Sequence, residues 1–542
     1  MLKPYKSIVS LFPSSLKPPA SILLSAHKPA ITYIALYLLA GLILGISSGF
    51  VVSVNDFWGN WFYAKHMYAD MPWSLYNANF PFGYQVVLSA GIRIFHPAVY
   101  GYILNLLFAA ALLFVVYLFL QRIVPQKWAL ISVILLSLYP RLFHYIHSAG
   151  ADAGAVAFFI AGMLILFRQV LDANAGKAAT YKWFAAAGLL LGLAALWRYH
   201  ALVASALLLL SVFACLPRIW KALAACGITV LAVYSPQFVI NLLTGHGLLE
   251  TCHEINVYNL MHDLNWYRVT ELELSSSIID VIAENPLRFA AMYAAGAIKL
   301  SVAALPCAAA LIITRNANTR LISAVSLVFC LMYSAMFGLG ASGRAVLILL
   351  PVSFLCTAIL LAALEDAHLR IKIVPSRARA LFPAVLICLA AIVFLAKDVI
   401  RINARIEAIA AYRRVEKTAR EHGVKSGSQV FTSDFNIYFP SFISPRPVYN
   451  GGWARLATYR YNEIYPELRV DRLEDFFEDC ASHDIRMLVL TEESKLLSAV
   501  MYSIYAGRLQ DARIGSIGEV EKFRLFLIGD LKHDDTFLAD HQ

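Results

Sequence analysis

The sequence predicts a polytopic α-helical membrane protein with about 11 transmembrane helices and a C-terminal soluble α/β domain. Of its 542 residues, 60% are hydrophobic and only 15% are charged, whereas soluble proteins average roughly 45–50% apolar and about 25% charged residues. The apolar residues also occur in runs close to the ~20 residues needed to cross a bilayer. After residue 396 the composition changes, because residues 397–542 contain 20 Lys and Arg and 22 Asp and Glu.

The apolar runs predict eleven spans, which follow a polar and basic cytoplasmic lead at residues 1–30. The first run is too long for the apolar region of a signal peptide, and no small-residue cleavage pattern follows it, so it is predicted to be an anchor. The transmembrane domain is predicted at 31–396, with spans at 31–53, 99–121, 129–146, 152–168, 183–197, 200–217, 222–243, 289–313, 321–340, 345–364 and 381–396.

The stretch 183–217 is predicted to be a hairpin of two short spans that turn at Arg198. A single helix of this length would extend about 52 Å at 1.5 Å per residue, well beyond a hydrocarbon core of roughly 30 Å. The hairpin also places 17 Lys and Arg and only 3 acids on the side of the N-terminus. Because cytoplasmic loops are rich in Lys and Arg, we expect the N-terminus in the cytoplasm and the C-terminus outside.

Two long loops and the C-terminal domain are predicted on the outer face. Residues 54–98 are rich in aromatic side chains, which favours interfacial helices that Pro72 and Pro81 interrupt. The second outer loop, 244–288, is acidic. The C-terminal domain is expected to have an α/β layer structure, with helices at 398–421 and 471–482 and strands at 429–433, 486–491 and 524–528.

Charge and cysteine content exclude several classes of function. The formal net charge of +10 lies mostly in the predicted cytoplasmic loops, where it sets orientation and meets anionic lipid, so it implies no nucleic-acid partner. Of the eight cysteines, only Cys252 and Cys480 are predicted to face an oxidising compartment; they could pair, but they imply no disulfide framework. The sequence contains no CxxC, His-rich metal spacing, Walker loop or GxGxxG, and we predict neither a metal nor a cofactor.

Asp56 is the candidate catalytic residue. It lies directly after the first predicted span, in a segment rich in aromatic residues. A carboxylate this close to hydrocarbon is costly to keep charged, so such residues are usually paired or functional. The alternative is a helix cap or a solvated loop residue. Lys65 follows two to three helical turns later and could face an anion, with a plain surface position as the alternative.

Further candidates for substrate binding lie at the predicted outer ends of three spans. His147 and Asp152 stand at the junction of the third and fourth spans, where Asp152 also fits an N-cap. Arg198, Tyr199 and His200 form the tip of the hairpin. An arginine at the end of a span often extends to lipid headgroups, which is the alternative for Arg198.

Two more cations complete the set of candidates. Arg344 follows a Gly-rich segment before the tenth span and could hold a phosphate, with an ordinary turn as the alternative. Lys299 lies inside an apolar run. A lysine within a membrane span is a functional candidate, although its ammonium group can also extend to the interface.

One acid and several cations at a single membrane surface fit glycosyl transfer from a polyprenyl-phosphate sugar. The leaving phosphate gains negative charge as its bond to the anomeric carbon breaks, and Arg and Lys stabilise that charge. A carboxylate takes the proton from the attacking hydroxyl. One base and direct displacement invert the anomeric centre. No metal is required where cations already hold the phosphate.

The order of these parts resembles the GT-C class of membrane glycosyltransferases, which includes protein O-mannosyltransferases and lipid A aminoarabinose transferases. The resemblance covers nearly the whole chain. It is carried by an acid after the first span, a Pro-aromatic segment before the second, an acid opening the fourth, a Gly-rich fifth span with a cationic turn and a late Arg: Asn55-Asp56, Phe80-Pro81-Phe82-Gly83-Tyr84-Gln85, Ala151-Asp152-Ala153, Gly188-Leu189-Leu190-Leu191-Gly192 with Trp197-Arg198-Tyr199, and Arg344-Ala345-Val346-Leu347-Ile348-Leu349-Leu350-Pro351.

The resemblance implies Asp56 as the essential acid and a soluble outer C-terminal domain. Many members of the class have two acids in the first loop, whereas here Val54 and Asn55 precede Asp56. That difference argues against a metal-dependent oligosaccharyltransferase and leaves Asp56 as the sole candidate base. Arg344 lacks the Glu-Arg-Tyr setting of the class, so its assignment to phosphate binding does not follow from the resemblance alone.

The expected partners are a polyprenyl-phosphate sugar, the lipid bilayer and an acceptor that is a glycan, a lipid glycan or a protein. We expect a bacterial inner membrane, with the active site and the C-terminal domain facing the periplasm. Two other hypotheses stay open: a transporter or flippase of lipid-linked sugars, and a non-catalytic relative whose outer domain binds glycan. Inverted repeats would favour the transporter, and no clear internal repeat is present in the sequence.

Overall fold

A computed structural model describes residues 20–50, 56–67, 81–92, 94–178, 180–245, 247–248, 261, 278–338, 344–368, 376–434, 437–439, 441–442, 447–449 and 468–529. Within them, a helical membrane part precedes a smaller α/β part. Seven of the described helices are long and apolar enough to cross a bilayer, and one bent pair provides an eighth span if it is counted as one. The chain is therefore an integral membrane protein.

The helices of the membrane part are named α1 to α16 in chain order. The first ten are Ala20–Ser48, Asp56–His66, Phe82–Ile92, Pro97–Leu120, Gln126–Ser137, Pro140–Ile146, Asp152–Asn174, Tyr181–Trp197, Tyr199–Cys215 and Trp220–Leu243. The next six are Ile278–Glu284, Pro286–Ser301, Leu305–Ile313, Ala317–Met336, Val346–His368 and Ser376–Glu421. A short 3₁₀ turn, Val302–Ala304, joins α12 to α13.

Counting the bent pair as one, eight of the eleven predicted spans coincide with these helices, and the count of eleven stays a prediction. Helices α8 and α9 have 17 residues each, so each extends about 25 Å, less than a hydrocarbon core of roughly 30 Å. The last predicted span and the predicted polar helix 398–421 are one continuous helix of 46 residues, α16. The third predicted span is the bent pair α5 and α6, which meet at 67°, where Pro140 starts the second helix.

Helices α8 and α9 form the hairpin predicted at Arg198. The backbone of Arg198 is extended (φ −152°, ψ 124°), and the residue both ends α8 and precedes α9. At this turn Arg198 bonds Asp152, the first residue of α7. At the opposite end, Arg218 follows α9 and its Nη2 donates a 2.8 Å hydrogen bond to the carbonyl of Ala173, near the end of α7. The three helices therefore lie side by side and alternate in direction.

Glycines allow α8 to lie close to α10. A Cβ at Gly188 would stand 2.4 Å from the carbonyl oxygen of Cys226, and one at Gly192 would stand 2.7 Å from Cβ of Val233. Real side-chain atoms do not approach so closely, so only glycine fits at these two positions. Small residues are the usual means by which membrane helices approach one another.

The C-terminal part contains a sheet that has five strands within the described residues. Their order is β2-β1-β3-β5-β4, with β1 parallel to β2 and β3, and β5 antiparallel to β3 and β4. The strands are Val430–Thr432, Val448–Tyr449, Met487–Leu490, Ile514–Val520 and Phe523–Ile528, and two helices accompany them, α17 (Leu473–Ser482) and α18 (Ala499–Tyr505).

Three strands and α17 lie at or within two residues of the positions predicted from the sequence, whereas β2 and β4 were not predicted. The sequence of β4 is Ile-Gly-Ser-Ile-Gly-Glu-Val. It lacks the strict alternation of apolar and polar residues that predicts a strand. Cys480 is a free, buried thiol in α17. Cys252, its proposed partner, lies outside the described residues, as does most of the acidic loop 244–288.

Helix α16 runs from the membrane part into the C-terminal part. Its Arg405 donates a 2.9 Å hydrogen bond from Nη1 to the carbonyl of His147, just after α6. Further on, the hydroxyl of Tyr438 donates to the carbonyl of Gly49, just after α1 (3.3 Å). One buried apolar cluster includes Phe57 and Tyr84 of the membrane part and residues of the sheet. The C-terminal part thus packs on the end of the bundle where α1 ends and α7 begins.

Candidate functional site

A buried ion pair joins the start of α7 to the turn between α8 and α9. Arg198 Nη2 donates a 3.0 Å hydrogen bond to Asp152 Oδ2, and the two side chains are 10% and 2% exposed. The alternative role of Asp152 as an N-cap is wrong, because Ala151 occupies the cap position and the carboxylate of Asp152 accepts from Arg198 instead. Removing one partner of a buried pair leaves the other charge uncompensated, which is strongly destabilising.

The residue before Arg198 anchors this turn. The indole ring of Trp197 packs against the rings of Tyr84 and Phe108, with centroids 5.0 and 4.9 Å away. On the other side a Cβ at Gly154 would stand 2.1 Å from Cζ3 of Trp197. Glycine at position 154 therefore lets the indole lie on α7, and this contact holds Arg198 next to Asp152.

Helix α2 begins at Asp56, next to the same group of residues. The adjacent Phe57 is fully buried. A Cβ at Gly101 would stand 2.7 Å from Phe57 Cε2 and 3.1 Å from both Tyr84 Oη and Ala149 Cβ. The start of α2 thus packs on α4, and Tyr84 of α3 and Ala149 of the segment that leads into α7 approach the same glycine. Residues 51–55, which include the departure from the two-acid pattern, lie outside the described residues.

Tyr84 lies in the Pro-aromatic segment before the second predicted span but is not among the predicted site residues. Its side chain is completely buried, and its hydroxyl has no hydrogen-bond partner among the described residues. Burial raises the pKa of Tyr84, Arg198 lowers it and Asp152 raises it, so the phenol is neutral and can donate. Gln237 was missed as well: its Oε1 accepts from the backbone N–H of Phe82 (2.9 Å) and so ties the start of α3 to α10.

The other residues of the predicted hairpin tip face different neighbours. Tyr199 is buried, and its ring lies edge-on to that of Tyr234, with centroids 6.5 Å apart. The ring of His200 lies edge-on to that of Phe337, which follows α14, with centroids 6.4 Å apart. Both residues lie at the turn beside Arg198. Their described ring contacts are with α10 and with the residue that follows α14.

His147 lies at a junction of α1, α6 and α16. Its Nδ1 lies 3.0 Å from the carbonyl oxygen of Phe143, and its ring packs on that of Tyr37 with centroids 5.2 Å apart. Burial lowers the pKa of His147 to about 3, so the imidazole is neutral. None of its described contacts involves Asp152 or Arg198, and the residue supports the binding of α16 to the bundle.

The remaining predicted cations, Lys299, Lys65 and Arg344, lie on three other elements. Lys299 is exposed on α12 beside the exposed apolar side chains of Ile298 and Val302. Lys65 is also exposed, and its Nζ stands 5.6 Å from the ring centroid of Trp61. Arg344 lies in the turn before α15, where its carbonyl accepts from the N–H of Leu347 (3.0 Å).

In the part of the chain that the structure describes, no three His, Cys, Asp or Glu side chains are grouped as a metal site requires. The independence from metal that the sequence suggests remains a prediction.

Comparison with known proteins gives the fold. No protein-family model matches the sequence, and no curated protein has a significantly similar sequence. The structure is similar to two crystal structures of ArnT from Cupriavidus metallidurans. The apo form matches with a TM-score of 0.54 and 13% identity. The form bound to undecaprenyl phosphate matches with a TM-score of 0.53 and 12% identity. Each comparison covers 92% of this chain and 98% of the other chain.

This chain has the GT-C fold. The resemblance inferred from the order of sequence motifs is therefore confirmed as a similarity of fold. At 12–13% identity the similarity carries neither a substrate nor a catalytic residue across. Within the GT-C fold of this chain, the Asp152–Arg198 pair and the start of α2 lie at one end of the helical bundle, on the side where the C-terminal part packs.

Proposed function

We propose that this protein is an inverting, metal-independent glycosyltransferase. It moves a sugar from a polyprenyl-phosphate donor to a hydroxyl group of a glycan, a lipid glycan or a protein. The observation that carries the proposal is the buried pair of Asp152 and Arg198 beside the start of α2, where Asp56 stands. The fold supports it, because ArnT, which has the same fold, was crystallised with undecaprenyl phosphate.

In the proposed reaction Arg198 receives the leaving phosphate. One nitrogen of its guanidinium is held by Asp152, which sets the direction of the planar group. A guanidinium matches the geometry of phosphate oxygens and stays charged in a site of low dielectric constant. Negative charge develops on the phosphate as the bond to the sugar breaks, so a cation that is already in place lowers the barrier.

The proposed base is Asp56. It takes the proton of the acceptor hydroxyl as the hydroxyl oxygen attacks the anomeric carbon. The new bond forms on the face opposite the departing phosphate, so the configuration at that carbon inverts. Val54 and Asn55 offer no second carboxylate beside Asp56, which favours stabilisation of the phosphate by arginine rather than by a metal ion.

We further propose that the site and the C-terminal domain (397–542) face the periplasm of a bacterial inner membrane. The excess of Lys and Arg in the loops predicted on the opposite side supports this orientation. The contact of Tyr438 with Gly49 is consistent with it, because it puts the C-terminal domain at the end of the bundle that holds Asp152 and Arg198.

The direct test is a transfer assay with purified protein in detergent. The donors are polyprenyl phosphates that carry different radiolabelled sugars, and the acceptors are lipids, glycans and proteins extracted from bacterial envelopes. We expect a labelled glycoside of inverted anomeric configuration and free polyprenyl phosphate, at an unchanged rate in the presence of a chelator. A transporter needs two compartments and forms no bond in detergent, so uptake into vesicles without transfer in detergent would contradict the proposal.

A further inference from the structure

Three buried polar atoms beside the Asp152–Arg198 pair lack hydrogen-bond partners among the described residues. They are Tyr84 Oη, Asn105 Oδ1 and Asp152 Oδ1. Each side chain is at most 2% exposed, and the three come from different helices, α3, α4 and α7. Buried polar groups are nearly always paired, because an unsatisfied one keeps its full desolvation cost. Three of them in one region therefore point to a shared partner.

One face of α4 links the three side chains. Gly101 lies against Tyr84 Oη, and Asn105 follows four residues later on the same face of the helix. The Nδ2 of Asn105 donates to the carbonyl of Ser148 (2.5 Å), four residues before Asp152. The same face continues with Phe108, which packs on Trp197 next to Arg198. Asn105 thus stands between Tyr84 and the start of α7.

The numbers of donors and acceptors match a single water molecule. Tyr84, a neutral phenol, supplies one donor, while Asp152 Oδ1 and Asn105 Oδ1 can only accept. The orientation of the Asn105 amide is set, because its Nδ2 donates to two carbonyls, those of Tyr145 and Ser148. A water that accepts from the phenol and donates to both oxygens makes three hydrogen bonds, the usual number for a buried water.

We propose that one bound water joins Tyr84, Asn105 and Asp152, and that Tyr84 thereby acts as a positioning residue for Arg198 in sugar transfer. The second part rests on the proposed function. The water holds Asp152 Oδ1, while Asp152 Oδ2 holds Arg198. A carboxylate fixed at both oxygens cannot rotate, so the guanidinium keeps its direction toward the leaving phosphate. Such preorganisation acts on the transition state and therefore affects kcat more than KM.

The kinetic test removes only the phenolic hydroxyl. Tyr84→Phe keeps the ring contact with Trp197 and is expected to lower kcat about 10-fold, with the KM for the donor changed less than about 2-fold. The matched control is Tyr100→Phe, because the Tyr100 hydroxyl donates to the carbonyl of Val87 (3.2 Å); its kcat is expected to equal that of the unchanged protein. An unchanged kcat in Tyr84→Phe overturns the positioning role.

A double variant tests whether Tyr84 acts through Asp152. If it does, Tyr84→Phe combined with Asp152→Asn should lose no more activity than Asp152→Asn alone, since coupled residues are not additive. A multiplicative loss in the double variant overturns the coupling.

A structural measurement tests the water site without any activity assay. A high-resolution cryo-EM map of the unchanged protein should show a density peak within about 3.2 Å of all three atoms. The peak should be absent in Tyr84→Phe and present in Tyr100→Phe. A map without the peak overturns the water site. A peak in a protein that transfers no sugar from any donor overturns the proposed function and the positioning role, and leaves the water site standing.

Discussion

Arg198 and Asp152, which are 46 residues apart in the sequence, are joined by a 3.0 Å hydrogen bond inside the protein. The bond connects the tip of the α8–α9 hairpin to the first residue of α7, next to the start of α2. A guanidinium and a carboxylate taken out of water together need good geometry to be tolerated. The bond therefore fixes the position of the Arg198 guanidinium within the fold.

Loss of the buried carboxylate charge should destabilise the protein. Asp152→Asn removes the negative charge that compensates the positive charge of Arg198. We therefore expect the free energy of unfolding to fall by about 3–5 kcal/mol. The control, Asp172→Asn, lies at the other end of the same helix and pairs with the exposed Lys177; its cost should be at most about 1 kcal/mol. Thermal unfolding in detergent compares the two. Equal melting temperatures would contradict a structural role for the buried pair.

A lysine should not replace Arg198. Arg198→Lys keeps one positive charge but loses the planar fork, which must bond Asp152 and the proposed phosphate at the same time. We expect kcat/KM for sugar transfer to fall at least about 10-fold. Arg218→Lys, at the opposite end of α9, affects a hydrogen bond to the backbone carbonyl of Ala173 and should leave the rate unchanged. Equal rates for the two variants would rule out the assignment of Arg198.

The packing of Trp197 should be sensitive to a single methyl group. In Gly154→Ala the new Cβ would stand 2.1 Å from Trp197 Cζ3, so the indole and the turn at Arg198 must move. Overpacking of this kind typically costs about 1–3 kcal/mol. Gly227→Ala is the control, because its Cβ would meet only Leu209 at an ordinary 3.6 Å. We expect lower stability and slower transfer in Gly154→Ala alone, measured by unfolding and by the transfer assay.

A buried carboxyl group on α16 should make stability depend on pH. Asp398 is 2% exposed, and neither of its oxygens has a described partner. Burial raises the pKa of Asp398 to about 7, against opposing effects of Arg401 and Arg405; Tyr37 of α1 also faces it.

Between about pH 4 and pH 7 the unfolded chain has lost the Asp398 proton and the folded chain keeps it, so stability falls as the pH rises. The change is about 2–4 kcal/mol. Asp398→Asn should remove this dependence and be more stable than the unchanged protein at pH 8. Melting temperatures measured from pH 4 to pH 8 test this, with Asp172→Asn as the control. A pH dependence that persists in Asp398→Asn would contradict the assignment.

The sequence predicted those features that depend on local pattern and on charge balance. Helix length and the distribution of Lys and Arg were enough to place a turn at Arg198 within 183–217. The pairing of Arg198 with Asp152 was not predictable, because it depends on the way in which α7 and α8 pack. Asp152 at the start of a helix fits a cap equally well, and only the contact with Arg198 decides between the two roles.

The predicted binding residues show the same limit. Lys299 lies in an apolar run, but the run does not reveal which face of the helix it occupies, and the structure places it on the exposed face. The sequence around Tyr84 did not indicate a role in the site. That role depends on the burial of its hydroxyl near Arg198 and Asp152, which come from other helices. The sequence also separated the apolar run 381–396 from the helix at 398–421, because hydropathy shows where an apolar run ends but not that the same helix continues into a polar segment.

Asp56 is the proposed base of the sugar transfer. The most direct test is the initial rate of transfer from the best polyprenyl-phosphate sugar, measured side by side for the unchanged protein and for Asp56→Asn, with Asp172→Asn as a control for loss of an acid elsewhere. We predict a loss of about 10³-fold in Asp56→Asn, with an unchanged melting temperature and a full rate in Asp172→Asn. A folded Asp56→Asn protein that transfers sugar at the full rate would rule out Asp56 as the base.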